Sequence, residues 1–212
     1  MTADQGLRER KKLQTAARIV EVALPLFVEH GFDQVSVVQI AEAAEVSKMT
    51  VFNYFPRKED IALAGSAAHA TDLALAVARR APGESVVAAV RRHHLTELAE
   101  RAPQSGLSEH VVPMVRMIMS TPVLLTRLRE IMRRGQSALA DLLAADTAAG
   151  PDDLTPRLAA AQIAGVRDTL VEDNFRRLAA GEPVDDVQRT AVTAAELAFD
   201  LLERGLGGYG AR

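Results

Sequence analysis

The sequence predicts an all-α protein, with an N-terminal helix-turn-helix domain over residues 1-60 and a C-terminal helical bundle over 61-212. Apolar residues recur at helical spacing along most of the chain. Sustained period-two alternation is scarce and aromatics make up only 4% of residues, which argues against strands. Proline and glycine fall together where one helical stretch gives way to the next, at Pro82 and Gly83, Pro103 and Gly106, Gly150 and Pro151, and Gly181 and Pro183.

The first helix begins in a basic arm, LRERKK, from Leu7 to Lys12. Arg8, Arg10, Lys11 and Lys12 are candidates for phosphate or minor-groove contact, although a solvated helix start has the same composition. Ile19, Val22, Ala23, Leu26 and Phe27 form its core stripe, and Gly31 suits a left-handed terminator. Pro25 removes a backbone hydrogen bond and predicts a kink or a split.

Residues Val35 to Asp60 read as two short helices, a tight turn and the start of a third. Ser36 with Gln39 makes a capping-box pattern, and Val37, Ile40, Ala41 and Ala44 share one face. Glu45 and Val46 form the turn. Ser47 caps the next helix, which turns Val51 and Phe55 inward and leaves Lys48, Met49, Thr50, Asn53 and Tyr54 on the other side. So short a helix buries too little to stand alone and must be held by neighbours. A helix-turn-helix reader has that geometry, with its second helix in the major groove. An ordinary packed helical pair satisfies the same periodicity.

Phe27 to Gly31, Val35 to Ala44 and the run VSKMTVFNYFPRKEDI together resemble the N-terminal signature of the TetR family of bacterial transcriptional regulators, over roughly residues 10 to 63. The chain departs from the family pattern at Glu45, where glycine is usual, at Phe52, where tyrosine is frequent, and at Arg57, where a small residue usually stands. The resemblance implies a ligand-responsive DNA-binding regulator, most often a repressor. Such a protein binds a palindromic double-stranded DNA operator as a homodimer and is released by a small-molecule effector. Its implied DNA-binding set is Ser36, Lys48, Met49, Thr50, Asn53, Tyr54 and Lys58 with the basic arm. Thr50 and Asn53 are the base readers, since an asparagine amide binds adenine through two hydrogen bonds. Lys48, Tyr54 and Lys58 are assigned to phosphates.

From Lys58 to about Arg80 the pattern predicts one long helix, on the order of 34 Å at ~1.5 Å per residue. Further helices are predicted at about 84 to 101, 108 to 119, 122 to 146, 155 to 180 and 184 to 206. In the last two, Ala161 and Gly165, and Ala191, Ala194, Ala195 and Ala198, permit close helix approach, with Leu170, Phe175, Leu197 and Leu201 filling the seam. Intrachain packing explains these residues equally well; the resemblance implies a dimer interface, and makes 61-212 a ligand-binding and dimerisation domain.

The chain of 212 residues has a net charge of -3, yet all its lysines (11, 12, 48 and 58) fall in the first 58 residues, so a local basic footprint sits on a mildly acidic protein. It has no cysteine, which excludes disulfides and thiolate-ligated metals. The N-terminus lacks an apolar signal core, and Arg116 interrupts the longest apolar run, well short of the ~18 residues a bilayer requires. A cytoplasmic protein without membrane partners, nucleoid-associated when bound to DNA, is expected.

Catalytic signatures are missing, and no enzyme activity is expected. The tail GLGGYG, from Gly205 to Gly210, matches a dinucleotide-binding pattern but follows a helix in place of a strand. His30, His69, His93, His94 and His110 show no metal-ligand spacing, and no metal or cofactor is expected. Met114, Met117 and Ile118 are adaptable apolar side chains with Arg116 among them, and form a candidate effector pocket, although ordinary core packing accounts for them too. A helical adaptor or oligomerisation protein, or a small-molecule-binding enzyme, is the alternative class.

Overall fold

The computed structural model describes the backbone of residues 3–206 and the side chains of residues 10–205. Among the described residues every regular element is helical: α1 (Ala3–His30), α2 (Val37–Ala43), α3 (Lys48–Tyr54), α4 (Lys58–Ala62), α5 (Ala64–Ala68), α6 (Asp72–Ala78), α7 (Val86–Ala99), α8 (Val112–Ser120), α9 (Pro122–Asp146), α10 (Thr155–Ala179) and α11 (Val184–Leu206), with two single 3₁₀ turns between α7 and α8. No single described helix is long and apolar enough to cross a membrane. From residue 207 on, the tail motif GLGGYG lies outside the described residues, as does the side chain of Arg8.

The chain forms two compact units that are not contiguous in sequence. One runs to Ala67 and takes in Pro113–Arg129; the other comprises Ala68–Val112 and the chain from Glu130 onward. A single boundary after residue 60 does not describe this division, because the chain returns to the first unit through α8 and the start of α9.

The first unit is built around α1. Ile19, Ala23 and Phe27 are fully buried beside Ile40, Val51 and Ile61, one anchor from each of α2, α3 and α4. The Phe27 and Phe32 rings meet at 5.2 Å. Helix α1 runs unbroken through Pro25, so the proline does not split it. Pro25 and Glu21, whose carbonyl loses its helical partner, are both exposed, so the lost bond is not buried. Asp60 and Arg127 form an ion pair of 2.7 Å that fastens α4 to α9.

The second unit packs α7, α10 and α11 around Val90, Leu98, Leu139, Leu143, Ile163 and Phe199. Here the expected long helix fails. Between Lys58 and Ala78 the chain makes three short helices, with breaks at Leu63 and at 69–71. The second break has a non-local cause. A Cβ at Gly135 would stand 2.0 Å from the Ala70 carbonyl oxygen, so α9 passes directly against the turn. His69 Nδ1 lies 2.6 Å from Asp72 Oδ2 across the same turn, which favours restarting the helix at Asp72. Deeper in this unit Arg80 Nη1 meets Asp146 Oδ2 at 2.7 Å, joining the ends of α6 and α9 with both side chains more than nine-tenths buried.

Candidate nucleic-acid interface

Two helix caps set the reader's geometry. Ser36 Oγ accepts from the Gln39 backbone N–H at 3.2 Å and the Ser36 N–H donates to Gln39 Oε1 at 2.8 Å, completing the box that opens α2. Ser47 Oγ accepts from the Thr50 N–H at 3.0 Å and opens α3. Between them α2 ends in a Schellman motif, with Val46 N–H donating to the Ala41 carbonyl at 2.9 Å and Glu45 N–H to the Glu42 carbonyl at 3.1 Å. That motif requires a left-handed residue, and Glu45 supplies it at φ 55°.

A residue with a Cβ holds this conformation at a cost of roughly 1–2 kcal/mol. The exposed ion pair of Glu45 with Arg18, 3.0 Å, offsets only a little of it. Glu45→Gly is therefore expected to raise stability by about 0.5–1 kcal/mol net of the glycine's own chain entropy. Thermal unfolding checks this, and a lowered midpoint would show that the turn is not strained.

With Val51 fully buried, the rest of α3 faces outward. Lys48, Met49 and Asn53 are exposed, Thr50 and Tyr54 half-buried. Thr50 Oγ1 already shares a hydrogen bond of 2.8 Å with Ser47 Oγ, leaving Asn53 as the freer polar reader. Sequence reasoning left out Phe52, which is exposed and lies 5.9 Å below the Lys48 ammonium; the i, i+4 spacing was the signal for it. Ser36 is exposed at the start of α2, although its hydroxyl serves the cap. In the arm, Arg10, Lys11 and Lys12 are exposed.

Lys58 carries a structural role beside the expected one. Its ammonium donates to the carbonyls of Phe32 at 2.8 Å and Val35 at 3.0 Å and sits 4.2 Å over the Phe32 ring. Two of its three donors thus fasten the loop between α1 and α2 to α4, leaving one for a phosphate. Arg57 is exposed and makes no side-chain cap for α4, so its guanidinium is the more accessible cation at this corner.

Residues 19–64, which include this arrangement, match the model of the bacterial regulatory proteins of the tetR family. The HTH-type transcriptional regulator TcmR of Streptomyces glaucescens is 32% identical over 158 residues, spanning 72% of this chain and 69% of that protein. The chain belongs to the TetR family. It is a DNA-binding transcriptional regulator of the helix-turn-helix class. Solved structures similar in fold include GusR of Salmonella enterica, with TM-score 0.56 and 18% identity over 91% of this chain and 95% of that one. Another is FadR of Bacillus subtilis in complex with stearoyl-CoA, with TM-score 0.51 and 21% identity over 88% and 96%.

Elsewhere in this TetR-family chain the candidate effector and seam residues stand in mixed environments. On α8, Ile118 is buried, Met114 and Met117 are half-buried and Arg116 is exposed. None of the four lines either of two open grooves in the second unit. One, of about 730 Å³, lies between α7 and α11 beside Arg91, Leu95 and Asp200; the other, of about 400 Å³, lies between α10 and α11 beside Ala161, Gly165 and Ala198. The small-residue helices split by role as well. Ala191 and Ala195 belong to the core, whereas Ala161, Gly165, Leu197 and Leu201 are exposed.

Among the histidines, His93 lies near carboxylates that sequence reasoning did not single out. His93 and Glu97, four apart on α7, meet Asp72 of α6. Burial alone would raise the Glu97 carboxyl; the imidazoles of His93 and His94 and the guanidinium of Arg167 outweigh it and hold the group well below the usual carboxylate range.

Proposed function

We propose that this TetR-family regulator is a homodimeric repressor that reads a palindromic operator through α3 and is released by a small molecule. Residues 1-60 carry the DNA reading, and 61-212 carry dimerisation and the effector response. The observation that carries the reading is the polar face of α3, where Lys48 and Asn53 stand exposed on a helix whose other side is held by the buried Val51. Asn53 is the base reader, and Lys48, Arg57 and the arm residues Arg10, Lys11 and Lys12 position the backbone. Regulation takes the place of catalysis.

Dimerisation uses the outer faces of α10 and α11. Leu154 just before α10 and Leu158 on it, and Leu197 and Leu201 on α11, are each more than half exposed, four residues apart within each pair, beside the shallow groove at Gly165. A second copy covers this stripe and makes a four-helix seam. The effector response cannot pass along one rigid helix from Lys58, because that segment is broken twice. It passes instead through a change in which of two body arrangements the effector prefers, and DNA must weaken effector binding by the same factor.

Asn53→Ala tests the reader. Loss of a bidentate contact relaxes preference at one operator position by about 1–3 kcal/mol per half-site while leaving non-specific affinity nearly intact. A base profile unchanged from wild type would remove Asn53 from base reading.

A further inference from the structure

Asp72 opens α6, and His93 and Glu97 lie on one face of α7. One imidazole nitrogen and one oxygen from each carboxylate all fall within 4.8 Å of one another. His93 Nε2 is 3.3 Å from Glu97 Oε1. A tetrahedral ion bonded at ~2.1 Å sets its ligands roughly 3.4 Å apart, so the His93–Glu97 edge already has the required span. Asp72 offers the third ligand atom within the same 4.8 Å.

Two observations separate this group from a chance cluster of carboxylates. His93 Nε2 is buried and, although it faces Glu97 Oε1 at 3.3 Å, makes no hydrogen bond with it. His94, whose side chain is wholly buried, has neither ring nitrogen hydrogen-bonded, and its Nδ1 points toward Glu97 Oε2 at 3.6 Å. Buried imidazole nitrogens are ordinarily hydrogen-bonded, and here two of them face one carboxylate without a hydrogen bond to it. The surroundings suit outer-shell duty. His69 Nδ1 sits 2.6 Å from Asp72 Oδ2, and Arg167 Nη2 lies 3.1 and 3.2 Å from the two Glu97 oxygens. Such partners fix the direction of metal-binding carboxylates and sharpen affinity.

We propose that Asp72, His93 and Glu97 bind one divalent first-row transition cation, with water completing its shell. One imidazole and two carboxylates suit Zn²⁺, Co²⁺, Ni²⁺ or Mn²⁺ and, with no cysteine in the chain, not a thiolate site. His93 binds through Nε2, Glu97 turns Oε1 to the ion while Oε2 stays with Arg167 and His94, and Asp72 binds with His69 behind it. The ion thereby ties α6 to α7 within the second unit. Its binding does not depend on the DNA-reading assignment.

The test titrates chelator-stripped, full-length protein with Co²⁺, followed by visible absorption, and with Zn²⁺ by calorimetry. The expected result is one ion per chain, with Zn²⁺ displacing Co²⁺. Asp72→Asn and His93→Gln each weaken binding at least tenfold at unchanged far-ultraviolet circular dichroism, and His69→Ala weakens it less. Should His93→Gln lose helix, the half-buried and nearly isosteric Asp72→Asn decides. No stoichiometric uptake, or uptake of equal affinity in Asp72→Asn, would overturn the site.

Discussion

Glutamate at both Leu197 and Leu201 is expected to abolish the dimer and lower operator affinity by about a thousandfold or more, the span that separates specific from non-specific DNA binding. Both leucines are about 60% exposed in the single chain, 63% and 60%, so their replacement removes little from the folded protomer. In a dimer, by contrast, each substitution sets carboxylates against an apolar partner face. Two half-sites then have to be bound by separate molecules, and the advantage of linked binding disappears. Sedimentation gives the oligomeric state and gel shift the affinity. A double variant that still sediments as a dimer would place the interface elsewhere, and a monomer with full operator affinity would sever dimerisation from DNA reading.

The second large effect lies at the pair Arg80–Asp146. Asp146→Ala leaves a guanidinium buried at the junction of α6 and α9 without its carboxylate, and such uncompensated charge costs about 3–5 kcal/mol. Against a total stability of roughly 5–15 kcal/mol this is a loss that chemical denaturation detects at once. The pair itself is a different matter, because two charges taken from water repay little net stability. Arg80→Met with Asp146→Leu is accordingly expected to recover most of the loss. Equal destabilisation by the single and the double change would contradict a charge-burial origin and point to shape alone.

Local chemistry explains how much of this was legible in the residues. The capping box at Ser36, the cap at Ser47 and the stripes that bury Ile40 and Val51 depend on neighbours within four positions, and each appears where its spacing puts it. At Glu45 the resemblance alone marked the position, as one where glycine is usual, and the Schellman bonds show why, since they require a left-handed residue there. The departures from expectation mostly involve distant partners. Nothing between Lys58 and Arg80 announces that Gly135 will press on the Ala70 carbonyl and end a helix there. Lys58 also carries structural bonds that the sequence does not announce, because its partners, the carbonyls of Phe32 and Val35, are backbone atoms. His93 was read against His94 next to it, while the pertinent neighbours were Glu97 one turn on and Asp72 on another helix.

The central claim is that two copies of α3 read one site together. Selection of genomic fragments by the purified protein, at two salt concentrations, tests it most directly. The account predicts enrichment of an inverted repeat whose half-sites are centred about one DNA turn apart, roughly 34–36 Å, or a whole number of turns, and still recovered at the higher salt. Weak binding that salt erases, with no shared motif among the fragments, would contradict it.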